Sequence, residues 1–380
     1  MNPWLQLRAG WLVLLLLSAA EVRPADVPGP SPTDAELPIA APADVGFDPA
    51  PLQTLRRSVA AGRFPRTTSV LVVKEGRLVV EEYFEGGGRD VLNDTRSATK
   101  SLTSLAVGAA LADGKLRSVA EPAFGLLRDL GPFAHDGLLK HAITLEDLLT
   151  MSSALDCNDW DDGSPGNEEN MYPRQQWVRW AVDLPTKAQY ARDSTGHGPF
   201  SYCTAGTLLL GQIVQRATGE SVDDYVDRRL LEPLGIRRVE WPRSPTGEVM
   251  TGGGLRLRSR ELAKLGLLVL AQGQWQGKRL LPKQWFQQAL KVSRHVDAEQ
   301  DYGYLFWRRD YRTPSGNVSG WYMSGNGGNA IVMVPEQHLV AVVTRVHYNS
   351  RGMHQQTVAL LEEHVFAGLR SSGRSRPTTR

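Results

Sequence analysis

Residues 96–102 read Arg-Ser-Ala-Thr-Lys-Ser-Leu and open a run of small and apolar side chains that continues to Ala112. The run predicts a core helix over residues 97–112. Ser97 and Lys100 lie three residues apart, close to one helical turn, so their side chains share a face. A hydroxyl at a helix N-terminus also meets the positive end of the helix dipole, which favours developing negative charge. The pair could serve as nucleophile and base where burial keeps the amine neutral, but Ser-x-x-Lys alone also fits an ordinary exposed helix start.

Segments rich in β-branched residues lie on both sides of this helix along the chain. Residues 68–73 and 78–84 precede it and are joined by Lys-Glu-Gly-Arg, which predicts a hairpin. Residues 330–334 and 338–344 predict a second hairpin of buried strands. Between and after them, apolar spacings of three and four predict helices at 144–151, 174–183, 204–218, 221–231, 258–271, 282–291 and 353–369.

This order of elements predicts the fold class and the domain organisation. Strands, a long helical middle, strands and a final helix indicate an α+β body, in which the terminal segments form one antiparallel sheet and the middle forms a helical lobe. We expect the body to span residues 46–370 as one domain. The Pro- and Ala-rich residues 21–45 are predicted to be a linker, and residues 371–380 a disordered tail.

Two further segments carry residues suited to chemistry. Tyr202 lies in a turn before the apolar helix that starts near residue 204, where a phenol could shuttle protons. The alternative is a core tyrosine with a satisfied hydroxyl. Residues 324–329, Ser-Gly-Asn-Gly-Gly-Asn, precede a predicted strand. Their glycines would let a substrate approach the strand backbone, so that an N–H group could stabilise an oxyanion, although a simple glycine-rich turn has the same composition.

The order and spacing of these segments resemble those of the serine β-lactamase and penicillin-binding-protein superfamily. The chain is most similar to the beta-lactamase-related branch, which holds class C β-lactamases, family VIII esterases, D-aminopeptidases and 6-aminohexanoate-dimer hydrolases. The similarity extends over residues 45–368. Its supporting segments are 96–102, 143–153 (Ile-Thr-Leu-Glu-Asp-Leu-Leu-Thr-Met-Ser-Ser), 231–236 (Leu-Glu-Pro-Leu-Gly-Ile), 252–255 (Gly-Gly-Gly-Leu) and 259–262 (Ser-Arg-Glu-Leu).

The resemblance implies a role for each candidate residue. Ser97 would be the acylated nucleophile, Lys100 its base partner, and Tyr202 the relay of a proton to the leaving group. Whether Lys100 or Tyr202 takes the serine proton stays open at this stage. The oxyanion hole would be formed by the backbone N–H groups of Ser97 and Asn329. The implied substrate-binding residues are Thr204, Asn326, Gly327 and Gly328.

Two of these positions depart from the family pattern. Thr204 stands where the tyrosine motif often ends in Asn, and Asn326 where the third motif often begins with Lys or His. A cation at the second position helps to hold a substrate carboxylate, so its loss favours small-molecule esters or amides over β-lactams and cell-wall peptides. We therefore expect a serine hydrolase that needs no cofactor. A β-lactamase or D-alanyl carboxypeptidase, and an inactive binding homologue, are the alternatives.

The N-terminus and the two cysteines predict export. A short apolar run ending in Ser18-Ala19-Ala20 has the pattern of a signal peptide over residues 1–20, with an uncleaved membrane anchor as the alternative. In an oxidising compartment, Cys157 and Cys203 would form a disulfide rather than remain two buried thiols. These features predict a periplasmic or secreted protein.

Composition and motif content exclude several other functions. The chain has 380 residues with 43 Lys+Arg and 41 Asp+Glu, so no large basic face for nucleic acid is expected. Its histidines show no spacing typical of catalytic zinc, so no metal site is predicted. The acidic residues between 156 and 169 lack the pattern of a calcium loop and are predicted to form a solvated rim. Nearby aromatic residues fit a substrate cleft or the core equally well: Trp160, Tyr172, Trp177 and Trp180.

Overall fold

The computed structural model describes residues 37–369 and confirms the α+β class. Its α-helices are α1 (Ala50–Ala60), α2 (Thr99–Ala112), α3 (Leu138–His141), α4 (Leu145–Leu149), α5 (Trp177–Val182), α6 (Thr204–Thr218), α7 (Val222–Val226), α8 (Ser259–Leu270), α9 (Lys283–Ala289) and α10 (Met353–Leu360). Its strands are β1 (Thr67–Lys74), β2 (Arg77–Tyr83), β3 (Asn93–Asp94), β4 (Arg256–Leu257), β5 (Gln274–Trp275), β6 (Lys278–Arg279), β7 (Arg294–His295), β8 (Asp301–Tyr302), β9 (Trp307–Thr313), β10 (Gly316–Gly325), β11 (Asn329–Val334) and β12 (Leu339–Arg345).

Eight strands form one antiparallel sheet in the order β2-β1-β12-β11-β10-β9-β8-β7. Both predicted hairpins are present, and β1 pairs with β12, which brings the two ends of the body together. The pattern of apolar residues in the sequence does not predict strands β10, β9, β8 and β7, which form one side of the sheet. These strands include charged and small residues such as Arg308, Arg309, Asp310 and Gly320, which obscure the alternation that half-buried strands usually show.

The centre of the sheet is covered on both faces, because every residue of β1, β11 and β12 is buried. Helix α8 packs closely against these strands at Gly266. A Cβ atom at this position would lie 2.6 Å from Val340 and 3.0 Å from Ile331, so the absence of a side chain permits the approach. The final helical segment starts as α10 and continues through a π-helix, Leu361–Val365, and a 3-10 turn, Phe366–Gly368.

The helical lobe is built around α2 and α6, which pack against each other. Helix α2 is buried at every residue from Thr99 to Ala110, as expected for a central helix that is apolar on all sides. The predicted helix over 97–112 differs at its first turn, because residues Arg96–Ala98 form a 3-10 turn and the α-helix begins at Thr99. Ser97 therefore lies in the turn that leads into α2, and Lys100 lies in its first turn.

The described residues include part of the predicted linker and none of the predicted signal peptide. Residues 37–45 pack on the body: Leu37 is buried, and the backbone around Ile39 bonds to Leu78 in β2. Residues 1–36 and 370–380 lie outside the described part, so the signal peptide over 1–20, most of the linker and the tail over 371–380 stay predictions. Among residues 37–369, no helix is long and apolar enough to span a membrane.

Candidate active site

The structure joins Ser97 and Lys100 by a direct hydrogen bond. Lys100 Nζ donates to Ser97 Oγ over 3.0 Å and to the carbonyl oxygen of Gly252 over 2.6 Å. The lysine is only 1% exposed, as the apolar sequence around it predicts. A buried amine in contact with a hydroxyl can exchange a proton with it directly, which is the geometry that serine activation requires.

The turn that carries Ser97 is held by a second segment, residues 252–255. Gly254 N–H donates to the Arg96 carbonyl oxygen, and the Thr95 hydroxyl donates to the Leu255 carbonyl oxygen. Arg96 has a φ of 48°, a left-handed conformation that is uncommon outside glycine and is often found at functional turns. The sequence showed the Gly-Gly-Gly-Leu segment only as a point of resemblance, whereas the structure gives it a positioning role.

Tyr202 lies against this pair, just before α6. Lys100 Nζ is 4.9 Å from the centroid of the Tyr202 ring, and the tyrosine is buried. Burial raises the pKa of Tyr202, whereas the charge of Lys100 and a hydrogen bond with Ser97 act in the opposite direction. All three residues predicted to be catalytic are therefore in mutual contact.

The acidic segment includes a residue in the wall of the site that the sequence analysis missed. Asp159 is half-buried and accepts hydrogen bonds from the backbone N–H groups of Thr204 and Glu168, at 2.7 Å and 3.0 Å. Burial raises the pKa of its carboxyl group to about 6, opposed by the nearby charge of Lys100. The prediction of a solvated rim is therefore wrong for Asp159, because its carboxylate accepts the backbone N–H groups of Thr204 and Glu168.

The predicted disulfide is confirmed and explains why the acidic segment lies here. Cys157 and Cys203 are bridged, with their Cα atoms 5.4 Å apart. Asp159 follows Cys157 by two residues, and Tyr202 immediately precedes Cys203. The bridge therefore draws Asp159 toward Tyr202, and Asp159 N–H donates to the Tyr202 carbonyl oxygen over 2.8 Å. The predicted bridge was itself the signal that could have placed Asp159 in the site.

The glycine-rich segment reaches the site through its first three residues, of which only Asn326 was expected. Ser324, Gly325 and Asn326 line the cavity next to Ser97. A Cβ atom on Gly325 would lie 2.1 Å from the Thr95 carbonyl oxygen, so only glycine allows this strand to approach the Ser97 turn. Asn329 instead pairs with Gly325 in the sheet, and its side chain bonds to backbone atoms of Asn326 and Arg345.

The expected oxyanion role of Asn329 and three of the four expected substrate contacts are therefore not supported by position. Gly327 and Gly328 both have a φ of 90° and form the tight turn between β10 and β11, packed against Tyr348 and Thr357. Thr204 is fully buried, and its hydroxyl donates to Glu168 Oε2. Of the expected set, Asn326 lines the two cavities next to Ser97, and the other three residues line neither of these two.

Comparison with known proteins agrees with this geometry. The family model for beta-lactamase matches residues 53–361, which is most of the chain.

The chain belongs to the beta-lactamase family.

The resemblance inferred from the sequence motifs is thereby confirmed, and relatives within and around the family include hydrolases. The 6-aminohexanoate-dimer hydrolase of Paenarthrobacter ureafaciens is 26% identical over 267 residues, 68% of this chain and 65% of that protein, slightly under two thirds of its length. EstCE1, a hydrolase with promiscuous acyltransferase activity, has a TM-score of 0.63 at 14% identity, over 82% of this chain and 97% of that one. The octameric penicillin-binding protein homologue of Pyrococcus abyssi has a TM-score of 0.61 at 20% identity, over 84% and 79%.

In this family member, two cavities meet at Ser97, and both also include Glu168 and Asn326 in their walls. We call the first the acidic cavity. It measures about 370 Å³, and its remaining charged residues are Asp94, Arg96, Glu169, Glu240 and Arg256. We call the second the aromatic cavity. It measures about 380 Å³, and its aromatic residues, apart from His354, are Trp160, Tyr202, Trp307, Tyr311 and Tyr322.

The aromatic residues near the acidic segment divide between these cavities. Trp160 is 61% exposed and stacks on Tyr202, with ring centroids 5.5 Å apart and planes at 7°. Tyr172 and Trp177 line the acidic cavity, whereas Trp180 lines neither of the two. Each cavity has the size of a small-molecule site, so a substrate with its scissile bond at Ser97 would extend one arm into each.

Proposed function

We propose that this protein is an exported serine hydrolase that cleaves a carboxylic ester or amide through an acyl-enzyme on Ser97. The observation that carries the proposal is the buried contact between Lys100 Nζ and Ser97 Oγ, with Tyr202 against both and a cavity on either side. A nucleophile in contact with a base, oriented by a third group, is the arrangement that covalent acyl transfer needs.

The proposed reaction proceeds in two halves. Ser97 Oγ attacks the carbonyl carbon, its proton passes to Lys100 or Tyr202, and the carbonyl π electrons move onto oxygen. Collapse of the tetrahedral intermediate re-forms the carbonyl and breaks the bond to the leaving group, which departs with a proton relayed through Tyr202. A water molecule then loses a proton to the same base and attacks the acyl-enzyme. Collapse of this second tetrahedral intermediate breaks the bond to Ser97 Oγ, returns the proton to that oxygen and releases the carboxylic acid.

The oxyanion hole is assigned to the backbone N–H groups of Ser97 and Asn326. Both residues line both cavities, and Gly325 lets the end of β10 approach the Ser97 turn closely. Backbone donors fixed by a strand end and a helix start need little reorganisation when charge develops, and such preorganised donors contribute strongly to acyl transfer. This assignment replaces the expectation for Asn329.

Esters and amides are favoured as substrates because Asn326 occupies the position where related enzymes often have a cation. The two cavities fit a small molecule or a short peptide-like chain rather than a macromolecule. The disulfide supports export to the periplasm or the medium, since such bonds persist in oxidising compartments. Fractionation of cells, with determination of the mature N-terminus, tests export, and a cytosolic chain that retains residues 1–20 would contradict it.

Labelling with a fluorophosphonate tests the nucleophile. We expect a single adduct on Ser97 by peptide mass mapping, and loss of both the adduct and ester hydrolysis in Ser97→Ala. Ser104→Ala is the matched control, because Ser104 lies on the same buried helix and its hydroxyl has no hydrogen-bond partner in the described part of the chain. An adduct on another residue, or full activity in Ser97→Ala, would overturn the proposal.

A substrate panel separates the alternatives. Short acyl esters and linear amides should be hydrolysed faster than a chromogenic cephalosporin or a peptide ending in D-alanyl-D-alanine. Preferred turnover of the last two would instead assign a β-lactamase or carboxypeptidase. A folded protein that binds these compounds and hydrolyses none would be an inactive binding homologue.

A further inference from the structure

Arg309 lies in the wall of the aromatic cavity. In β9, alternate residues Trp307, Arg309 and Tyr311 face the same side, and all three line this cavity. The neighbouring strand β10 places Gly320, which has no side chain, opposite Arg309.

The guanidinium group has an unmet hydrogen-bonding capacity. Arg309 Nε is buried and has no hydrogen-bond partner among residues 37–369, while Nη2 donates to Glu299 Oε2 over 2.9 Å. The Arg309 side chain is 14% exposed, against 71% for Glu299, so this ion pair lies at the solvent side and contributes little. A buried donor without an acceptor is unfavourable, and a bound ligand with a suitable acceptor would remove this cost.

The acidic groups near Ser97 do not offer a comparable site for a cation. Both carboxylate oxygens of Asp159 already accept backbone N–H donors. Glu168 Oε2 accepts the hydroxyl groups of Thr204 and Tyr172. The aromatic cavity, in contrast, contains a positively charged hydrogen-bond donor, the Arg309 guanidinium group, for which an anion is the suitable partner.

The acidic cavity is a poor place for the same anion. Its Arg96 forms an ion pair with Asp94 over 3.2 Å and lies 4.3 Å from the centre of the Tyr348 ring. Glu169 and Glu240 line the same cavity and would repel a carboxylate. Arg256 in the same cavity pairs with Glu240 over 3.6 Å, so both of its arginines have a carboxylate partner. The aromatic cavity also has two carboxylates in its wall, Asp159 and Glu168, and it differs from the acidic cavity in the buried Nε donor of Arg309.

We propose that Arg309 determines specificity by binding a terminal carboxylate on the substrate arm that enters the aromatic cavity. This inference rests on the proposed function of Ser97. Gly320, the partner of Arg309, lies four residues before Ser324 in β10, which corresponds to about 14 Å along the strand. The arm is therefore elongated, and its carboxylate binds far from the reacting carbonyl. A planar guanidinium group suits this role because it can donate two parallel hydrogen bonds to one carboxylate.

Two matched pairs of esters test the proposal, one for each side of the scissile bond. The first pair is a p-nitrophenyl monoester of a dicarboxylic acid, from glutarate to suberate, and its methyl-capped diester. The second is the acetyl ester of 4-hydroxybenzoate and that of methyl 4-hydroxybenzoate. Within a pair, only the anion differs. We expect wild type to prefer the anionic member of one pair by about tenfold or more in kcat/KM, as loss of a charged hydrogen bond would predict.

Arg309→Gln should reduce the preference for the anionic ester to near one. Arg309→Lys should keep only part of it, because an ammonium group does not present two parallel N–H donors to one carboxylate. Arg308→Gln is the control, because Arg308 points to the other face of β9 and pairs with Asp301. It should keep the wild-type preference. Equal rates within both pairs in wild type, or the same preference in Arg309→Gln as in wild type, would overturn the role of Arg309.

A binding measurement separates this inference from the proposed function. Calorimetric titration of Ser97→Ala with the free dicarboxylates, glutarate to suberate, should show binding that the added Arg309→Gln change weakens about tenfold or more. If no ester is hydrolysed and no adduct forms on Ser97, but this binding is seen, the hydrolase proposal fails and the anion site stands. If esters are hydrolysed without anion preference and no dicarboxylate binds, the anion site fails alone.

Discussion

Two segments supply the chemistry of the site, and they are positioned in different ways. Residues 96–100 owe their geometry to local structure, because a 3-10 turn followed by the first turn of α2 sets Ser97 beside Lys100. The acidic segment, residues 156–169, is largely irregular and is held in place by partners that are distant in sequence. These partners are the disulfide to Cys203 and the backbone N–H of Thr204.

The reacting groups and the groups that surround them therefore depend on different parts of the sequence. The turn and helix provide the reacting groups, and the acidic segment provides the packing and charge around them. Changes in the first segment should abolish chemistry without unfolding the protein. Changes in the second should alter stability and pH dependence more than they alter the reaction itself.

The sharpest test of this contrast is Lys100→Met. Removal of the base should lower kcat by about 10³-fold, within the range for positioned acid–base groups, while the fold remains because methionine fills a similar volume. Lys140→Met is the matched control, since Lys140 is another fully buried lysine whose amine donates to the Val182 carbonyl oxygen, away from the site. Steady-state kinetics and thermal melts on both variants give the comparison. Equal loss of activity in the two would mean that burial of any lysine, not the contact with Ser97, sustains activity.

Tyr202→Phe should have the next largest effect. It removes the hydroxyl that we propose relays protons but keeps the ring that stacks on Trp160, so kcat should fall by about 10²-fold with little change in melting temperature. Tyr225→Phe is the control, because it deletes a hydroxyl that bonds to Asp113 away from the site. A Tyr202→Phe variant that keeps wild-type kcat would leave Lys100 as the sole base.

Loss of the disulfide should act mainly on stability. Replacing Cys157 and Cys203 by serine should lower the free energy of unfolding by about 2–4 kcal/mol, as expected for a bridge that closes a long loop. Serine at 203 can still cap α6, where Cys203 Sγ now accepts the Gly206 N–H group. Denaturant titration measures the effect. We expect kcat to fall less than in Tyr202→Phe, and a larger fall would show that the bridge is needed for the reaction itself.

The smallest expected effect is a change in pH dependence caused by Asp159→Asn. The pKa of Asp159 is about 6 in the folded protein, because burial disfavours the charged form, against about 3.9 for an unperturbed aspartate. Between these values the folded state keeps a proton that the unfolded state has released. Raising the pH through this window therefore lowers stability, and Asp159→Asn should remove that part of the decline in melting temperature.

Asp227→Asn is the control for this change, since burial also raises the pKa of Asp227 to about 6. Both variants should flatten the pH dependence of stability. In wild type, we expect kcat/KM to fall by about fivefold below pH 6, equivalent to about 1 kcal/mol, as protonation weakens the bonds to Thr204 and Glu168. This inflection should vanish only in Asp159→Asn. Its persistence there would assign it to another group.

Much of the fold could be predicted because its signals are local. The strands around Val72 and Val342 are continuous apolar runs, and α6 has clear apolar spacing and ends at Gly219 in the left-handed conformation. Strand β9 escaped prediction because Arg308 and Asp310 lie on its outer face while Arg309 faces a cavity. A strand that lines a binding site does not show the usual alternation of apolar and polar residues.

The part of the site that could be predicted also depends on local signals in the sequence. Ser97, Lys100 and Tyr202 follow from short motifs, and the structure brings them together. The resemblance implies an oxyanion donor at Asn329, whereas in the structure Asn329 pairs with Gly325 in the sheet and Asn326 lines both cavities. Register between strands depends on which residues face each other, and a glycine-rich turn of six residues permits more than one choice.

The sequence by itself determined the elements and the reactive pair, because helical spacing and apolar runs act between residues that are near each other along the chain. Only the tertiary structure decided which groups surround that pair. Asp159, Gly252 and Arg309 come from distant segments, and their roles arise from burial and from hydrogen bonds that exist only after the chain has packed. The electrostatic environment of a group depends on the charges that lie near it in space, and these charges can be far from it along the chain.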